Sequence, residues 1–324
     1  MAAPLAKVGI ISIGEMGLGV AKLLTANGFA VLTNIEGRSS ATRARAESAK
    51  ISLVPTDAAL VEGSDYIISI VPPRDAAATA ERIISAHAAL AQPPSPLYFL
   101  DLNAVSPGSA NKIASAFAER APAIRFVDGG IIGGPPRALK AADGSSDAPK
   151  WYLPSIVLSG PYVLAEAPKA GSTLASVLNT KNVGGEVGLA SGLKCCYASL
   201  SKGFTALAIQ SFSTAARLGV LEQLQAHLGE AKKNQITNSL QGMPPKAGRW
   251  VEEMHEIGKT FREAGGWGHA DGTDPSVFDE IALVYRFIAE GSELGKEQSG
   301  NRVRGTTVDD VVKAIHEGLD GGAK

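Results

Sequence analysis

Cysteine is nearly absent from this chain: Cys195 and Cys196 are its only two, and they are adjacent. Neighbours on a helix point apart, so bonding them would demand strained geometry, and no disulfide framework is expected. They read as buried free thiols of a reducing compartment. An excess of either charge is also lacking. Lys and Arg total 31 against 32 Asp and Glu, giving −1, and no basic tail occurs. That balance offers no footprint for nucleic acid or an anionic membrane surface. No uninterrupted apolar run reaches the roughly 18 residues a membrane span needs. A charged-then-apolar leader is missing as well, since Val8–Ile13 reads as a strand. Of the five histidines, none stands at metal-ligand spacing from another, so no metal is expected. These absences leave the expectation of a cytoplasmic protein acting on a small molecule.

What is present is apolar and orderly. Hydrophobic residues make up 45% of 324 positions and charged ones 19%, enough for two domains with separate cores. Compact apolar runs at Val8–Ile13, Ala30–Thr33, Tyr66–Val71, Leu97–Leu102, Arg125–Asp128 and Ser155–Leu158 read as strands. Between them lie Ala-rich helical segments such as Met16–Asn27, Ala76–Leu90 and Ser109–Ala121. The alternation predicts an α/β domain over residues 1–183, a doubly wound, mostly parallel sheet with both faces covered. Ala138–Lys150, rich in Asp, Gly and Ser, reads as a surface excursion. From residue 184 to 324 the pattern is helical throughout, led by a proline-free stretch from Val187 to Leu218.

The most informative segment is Val8-Gly9-Ile10-Ile11-Ser12-Ile13-Gly14-Glu15-Met16-Gly17. It reads as strand, tight turn and helix start, the context of a Rossmann dinucleotide fingerprint. Gly14 would let backbone approach a pyrophosphate, and Gly17 would let helix pack on strand. Ser12 replaces the first glycine of that fingerprint. Ser12, Ile13, Gly14, Glu15, Met16 and Gly17 are therefore the expected phosphate cradle, at a helix N-terminus. The second strand ends in Thr33-Asn34 rather than an acid, and Arg38, Ser39 and Arg43 follow. Guanidiniums and hydroxyls suit a 2′-phosphate, which favours NADP(H) over NAD(H). Glu36 is the residue that could bind a free ribose instead, and Arg45 reads as a solvated helix face. Val71-Pro72-Pro73 closes the next strand, where ribose and nicotinamide are expected.

Taken in order, these motifs resemble the β-hydroxyacid dehydrogenase superfamily, which includes 6-phosphogluconate and 3-hydroxyisobutyrate dehydrogenases and shares its architecture with imine reductases. Within it the chain is most similar to a 6-phosphogluconate dehydrogenase NAD-binding-like group with a distinctive C-terminal domain. Asp101-Leu102-Asn103-Ala104-Val105-Ser106-Pro107 resembles the strand-end segment that holds substrate there. Asp128-Gly129-Gly130-Ile131-Ile132-Gly133-Gly134-Pro135 resembles its glycine-rich substrate loop, whose glycines would permit positive φ and expose amides to an anion. Gly188 and Gly192, four apart on one helix face, precede Lys194, the position at which the superfamily carries its general acid/base lysine.

That resemblance implies hydride exchange between a nicotinamide and a small hydroxy acid or carbonyl, with Lys194 moving the proton. Asn103 would position substrate and also touch the cofactor, and Ser106, Gly129, Gly130 and Ile131 would line the substrate site; Ser106 is equally suited to capping the next helix. Many members place Asn four residues after the lysine, where this chain has Ala198. Tyr197 and Ser201 project from a similar face and are the expected substitutes, with Lys202 adding charge. Trp250 and His255 are candidate pocket residues, against core packing and surface exposure. A homodimer is implied through the helical domain. An imine reductase or reductive aminase, and a non-catalytic NADP(H) sensor or scaffold, are the alternatives.

Overall fold

Runs apolar at every position have no face to offer water, so they fold only where both sides are covered. The computed structural model, which describes residues 3–37, 40–94, 96–139, 150–268 and 276–321, turns them into the centre of a sheet. The elements are β1 (Lys7–Ile11), α1 (Glu15–Ala26), β2 (Ala30–Asn34), α2 (Ser40–Ser48), β3 (Ser52–Val54), α3 (Asp57–Glu62), β4 (Tyr66–Ser69) and α4 (Pro73–Ala88). Then come β5 (Leu97–Asp101), α5 (Pro107–Arg120), β6 (Ile124–Ile132), β7 (Arg137–Ala138), β8 (Trp151–Tyr152), β9 (Ser155–Ser159), α6 (Gly171–Val177) and β10 (Thr180–Asn182). The remainder is helical: α7 (Leu189–Arg217), α8 (Leu221–Ala226), α9 (Glu230–Gly242), α10 (Ala247–Glu263), α11 (Val277–Glu290) and α12 (Val308–Gly321).

Eight strands lie in the order β10-β9-β6-β5-β4-β1-β2-β3, and the run from β3 to β6 is the doubly wound order 3-2-1-4-5-6. All neighbours pair parallel except β6 and β9, which are antiparallel. One face packs Val20 and Leu24 of α1 and Leu174 of α6 on the sheet. The other packs Leu60 of α3, Ile83 of α4 and Phe117 of α5, with Phe117 lying 4.8 Å from Phe99 and 5.6 Å from Phe126.

Two expectations from sequence change here. Asp128–Ile132 is strand and not loop: β6 continues through Ile132, and Gly129 and Gly130 pair with Leu158 and Val157 of β9. Glycine at both positions reflects space. A Cβ on Gly129 would meet the Leu102 side chain at 2.5 Å, and one on Gly130 would meet Lys194 Cβ at 2.7 Å. Only Gly133 of the four has positive φ, at 126°. The chain also parts into compact units at Met1–Lys194 and Cys195–Lys324, inside α7 and not at 183/184. Residues 188–191 bond to β6 and β9, which carries the start of α7 into the first unit. Most of the expected surface excursion, 140–149, lies outside the described residues.

The second unit has its own core, built around Tyr285, Met254, Leu240, Ile288 and Ile315. Cys195 is buried, whereas Cys196 is exposed, so only one thiol follows the expectation. Tyr285 donates its hydroxyl to the Lys202 carbonyl at 2.5 Å, which satisfies a phenol that burial would otherwise strand.

The β1–α1 turn explains its two glycines differently. A Cβ on Gly17 would lie 2.0 Å from the Ser12 carbonyl oxygen, while one on Gly14 would meet nothing nearer than Ser12 Oγ at 3.8 Å. Gly17→Ala should therefore destabilise the protein by about 1–3 kcal/mol or more through overpacking. Gly14→Ala, at a helix N-cap, should cost at most about 1 kcal/mol. Urea unfolding of the pair checks this, and equal costs would contradict the packing argument.

Candidate active site

Each parallel strand delivers its carboxyl end to one edge of the sheet, where an open α/β sheet binds ligands. At β1 that end is Ser12, which holds a left-handed φ of 80° in the place of the missing glycine. Gly14 N-caps α1 without any side-chain bond to the first turn, so Glu15, Met16 and Gly17 present amides that no local side chain caps. Arg45 Nε donates to the Ile13 carbonyl at 3.1 Å and its Nη2 to Thr42 at 3.0 Å. Arg45 therefore braces the turn rather than merely solvating α2. At the end of β2, Asn34 Nδ2 donates to Asp57, which Arg82 grips with two bonds of 2.8 and 2.9 Å. Glu36 is exposed and its amide donates to Asn34 Oδ1. Arg43 is exposed; Arg38 and Ser39 lie outside the described residues.

The ends of β4 and β5 are tied together by Asn103. Its Oδ1 accepts from Val71 N at 2.7 Å and its Nδ2 donates to Ser69 Oγ at 3.1 Å, with the residue only 2% exposed. The structure thus engages this amide in aligning two strand ends, where sequence expected it to be offered to substrate. Pro72 and Pro73 open α4 directly after Val71. Ser106, also expected to touch substrate, is fully buried and caps α5 by accepting from Ser109 N at 3.2 Å.

Strand β6 and the start of α7 bring together the residues that matter most. Asp128, wholly buried, accepts from Ser159 Oγ (2.8 Å), Gly188 N (2.9 Å), Ser191 N (3.2 Å) and Ser191 Oγ (2.5 Å). Gly188, at φ 99°, sits against Pro107 and Asn111 of α5 and immediately precedes α7. Half-buried Lys194 lies with its Cβ over Gly130 and its ammonium on the Ile131 carbonyl at 2.5 Å. Lys194 is thus turned onto the end of β6 and held there. Past β6, Gly134 N donates to the Tyr152 hydroxyl at 3.2 Å, so this amide is already engaged.

The expected helpers beyond Lys194 are arranged otherwise. Tyr197 is 49% exposed, and Ser201 bonds back to the Ala198 carbonyl at 3.3 Å. Lys202 is 7% exposed and ion-paired to Glu253, whose other oxygen takes Arg249 Nε at 3.0 Å. Burial of this lysine demands such a partner, so its charge is neutralised inside the protein rather than offered to a carboxylate. Trp250 stands edge-on to Tyr285 at 5.1 Å, a packing role. His255 Nδ1 pairs with Asp279 at 2.7 Å, and Asp279 also takes Arg262 and the Ser276 amide. Sequence reading missed Asp128, Ser159 and Ser191. The signal was available only in part, as an acid before a Gly-Gly pair and a serine after Gly188.

Beside Asp128, in register on β5, sits Asp101. Its Oδ1 accepts from Asn103 N at 3.0 Å, but its Oδ2 is buried without a partner. Burial pushes its carboxyl up to about 7, the Asn103 amide lowers it, and the neighbouring Asp128 raises it further. The folded form therefore keeps a proton that the unfolded chain releases near 3.8. This favours folding fully below 3.8, and the benefit is lost as pH rises to about 7. Comparing urea unfolding of the wild type and Asp101→Asn across that window should show a decline that the variant lacks. Parallel profiles would contradict it.

Residues 7–145 match the family described as the NAD binding domain of 6-phosphogluconate dehydrogenase, and residues 215–288 match a domain of unknown function, DUF1932. A Methanothermus fervidus protein, an uncharacterized 28.5 kDa product, is 26% identical over 226 residues, 70% of this chain and 77% of its own. A conserved protein of unknown function, reported as similar to 3-hydroxyacid dehydrogenases, is 25% identical with a TM-score of 0.55, over 87% of this chain and 96% of its own. A Salmonella typhimurium 3-hydroxyisobutyrate dehydrogenase shares the fold at 18% identity and a TM-score of 0.61, over 96% and 99% of the two chains. The matched dinucleotide-binding domain over residues 7–145, the sheet order and the solved structures that share this fold make the chain similar to members of the β-hydroxyacid dehydrogenase superfamily.

Proposed function

We propose that the chain is an NADP(H)-dependent oxidoreductase that exchanges hydride with a small hydroxy acid or its carbonyl counterpart, with Lys194 as general acid/base. The observation that carries this reading is the half-buried Lys194 amine, turned onto the carboxyl end of β6. The β1–α1 turn fits a dinucleotide: it has an N-terminus free of side-chain caps and open space at Gly14. Ser12 through Gly17 would hold the pyrophosphate, and Val71, Pro72 and Pro73 would border the ribose. An amide at Asn34, where an NAD enzyme usually carries an acid, together with Arg38, Ser39 and Arg43, supports a 2′-phosphate. When bound, the nicotinamide supplies or accepts the hydride.

The chain's own part is orientation and proton movement. In reduction Lys194 donates a proton to the substrate oxygen as negative charge develops there, and in oxidation it removes that proton. Its hydrogen bond to the Ile131 carbonyl holds the amine in place between turnovers. Asn103 contributes by fixing the ends of β4 and β5. The reading includes a homodimer. An exposed stripe on α7, with Leu193, Leu200 and Leu207 spaced seven apart and Leu200 77% exposed, supports a second copy there.

Lys194→Ala should lower kcat by about 100-fold or more, while fluorescence titration shows NADPH binding within twofold of wild type. Turnover retained within about tenfold would remove the lysine from this role. Arg38→Ala should reduce the NADPH-over-NADH ratio of kcat/KM by about 10- to 100-fold, the worth of a charge-assisted hydrogen bond. An unchanged ratio would assign the cofactor preference elsewhere.

A further inference from the structure

The N-terminus of α7 has no capping side chain of its own. Gly188 accepts the first helical bond, from Gly192 N at 2.8 Å, and so occupies the N-cap position without a side chain. Its place is taken from a distance. Asp128, sixty residues earlier on β6, receives the amides of Gly188 and Ser191 and the Ser191 hydroxyl. Ser159, opposite Asp128 on β9, takes the Ala190 amide and donates to Asp128 in turn. Three residues on from Ser191 stands Lys194, whose Cβ rests over Gly130 and whose amine bonds Ile131. Strand β6 thus grips the helix at alternating depths: the carboxylate at 128, bare backbone at 130 and the carbonyl at 131.

We propose that Asp128 is the positioning residue for Lys194, setting the axial and rotational placement of the first turns of α7 through the Ser159–Asp128–Ser191 cap. A negative charge suits this task, because it faces amide dipoles at a helix N-terminus and accepts every bond offered to it. An amide of the same shape presents two hydrogens to donors that need acceptors. The cap would then loosen while the apolar packing around it persists. General acid/base chemistry tolerates such loosening poorly, since a displacement of about 1 Å can cost about 100-fold.

The inference rests on the lysine reading, and the test separates the two. Asp128→Asn and the milder Ser191→Ala, which removes only a hydroxyl, are compared with wild type in the full chain. One readout is kcat against the NADPH dissociation constant. The other needs no activity: competitive isotopic acetylation, quantified by peptide mass spectrometry, gives Lys194 reactivity against pH relative to exposed Lys50. Positioning predicts that Asp128→Asn lowers kcat by about 10- to 100-fold, leaves NADPH affinity within twofold and moves the Lys194 acetylation profile towards that of Lys50. Ser191→Ala should shift both readouts the same way by a smaller factor, and decides the matter if Asp128→Asn fails to fold. A lower melting temperature with kcat and acetylation unchanged overturns the proposal and leaves the cap a purely structural one. If Lys194→Ala itself keeps turnover, the lysine reading fails, yet the acetylation profile still decides whether Asp128 places the amine.

Discussion

One carboxylate joins the sheet to the helix that follows it. Asp128 is buried and surrounded by donors from β9 and from the start of α7. Its position depends on the single antiparallel pairing in the sheet. Because β9 runs against β6, Ser159 falls directly opposite Asp128, and the chain leaving β9 returns by way of β10 to start α7 over the same strand end. A side chain without an acceptor at 128 would leave the buried amides of Gly188 and Ser191 unmet, at a cost of about 1–3 kcal/mol for each. The reversal of β9, the glycines of β6 and the serine after Gly188 make sense only together.

Carboxylates at 101 and 128 lie side by side, and the fold treats them oppositely. Asp128 has donors for both oxygens, whereas Asp101 has one amide and an oxygen with no partner. Burial and the neighbouring Asp128 both push the Asp101 carboxyl up. The helical unit meets buried charge by another route. Lys202 and Glu253 pair directly, Arg249 takes the remaining oxygen, and the Trp250 ring lies 5.6 Å from the Lys202 amine. Removing one member of such a pair is costly, though the pair itself adds little net stability. Its value is to fix how α7 meets α10 within that unit.

Much of this was legible from residues alone. Six apolar runs became β1, β2, β4, β5, β6 and β9, and the proline-free stretch became α7, because period and composition carry that information directly. The short β3, α3, α6 and β10 escaped, since three to seven residues give too little periodicity to stand out. Gly129 and Gly130 misled for a physical reason. Glycine signals a turn when φ demands it, but here it signals that a neighbour lies too close for a Cβ, and that neighbour is distant in sequence. Resemblance singled out Lys194 as a candidate, while little in the sequence marked the cap beside it: Asp128, Ser159 and Ser191 are brought together by pairing register and by the start of α7. Asn103 and Lys202 show the converse, polar residues whose chemistry suits a ligand but whose partners turn out to be internal.

The β1–α1 turn shows how a fingerprint can lose a letter and keep its shape. The first glycine of the pattern is used for a left-handed backbone, and Ser12 adopts that backbone, at φ 80°, with a Cβ. Such a conformation costs an ordinary residue on the order of 1–2 kcal/mol, so the surroundings must impose it. They do so from two sides. Gly17 brings α1 so close that any side chain would strike the Ser12 carbonyl, and Arg45 reaches from α2 to hold the next carbonyl, Ile13. The turn is therefore specified by what packs around it more than by the residue at its apex. The same holds for β6, where Gly130 is dictated by the lysine lying on it. At β1 and at β6, two interior strands of this sheet, a glycine marks the place where a helix must come within backbone distance of a strand.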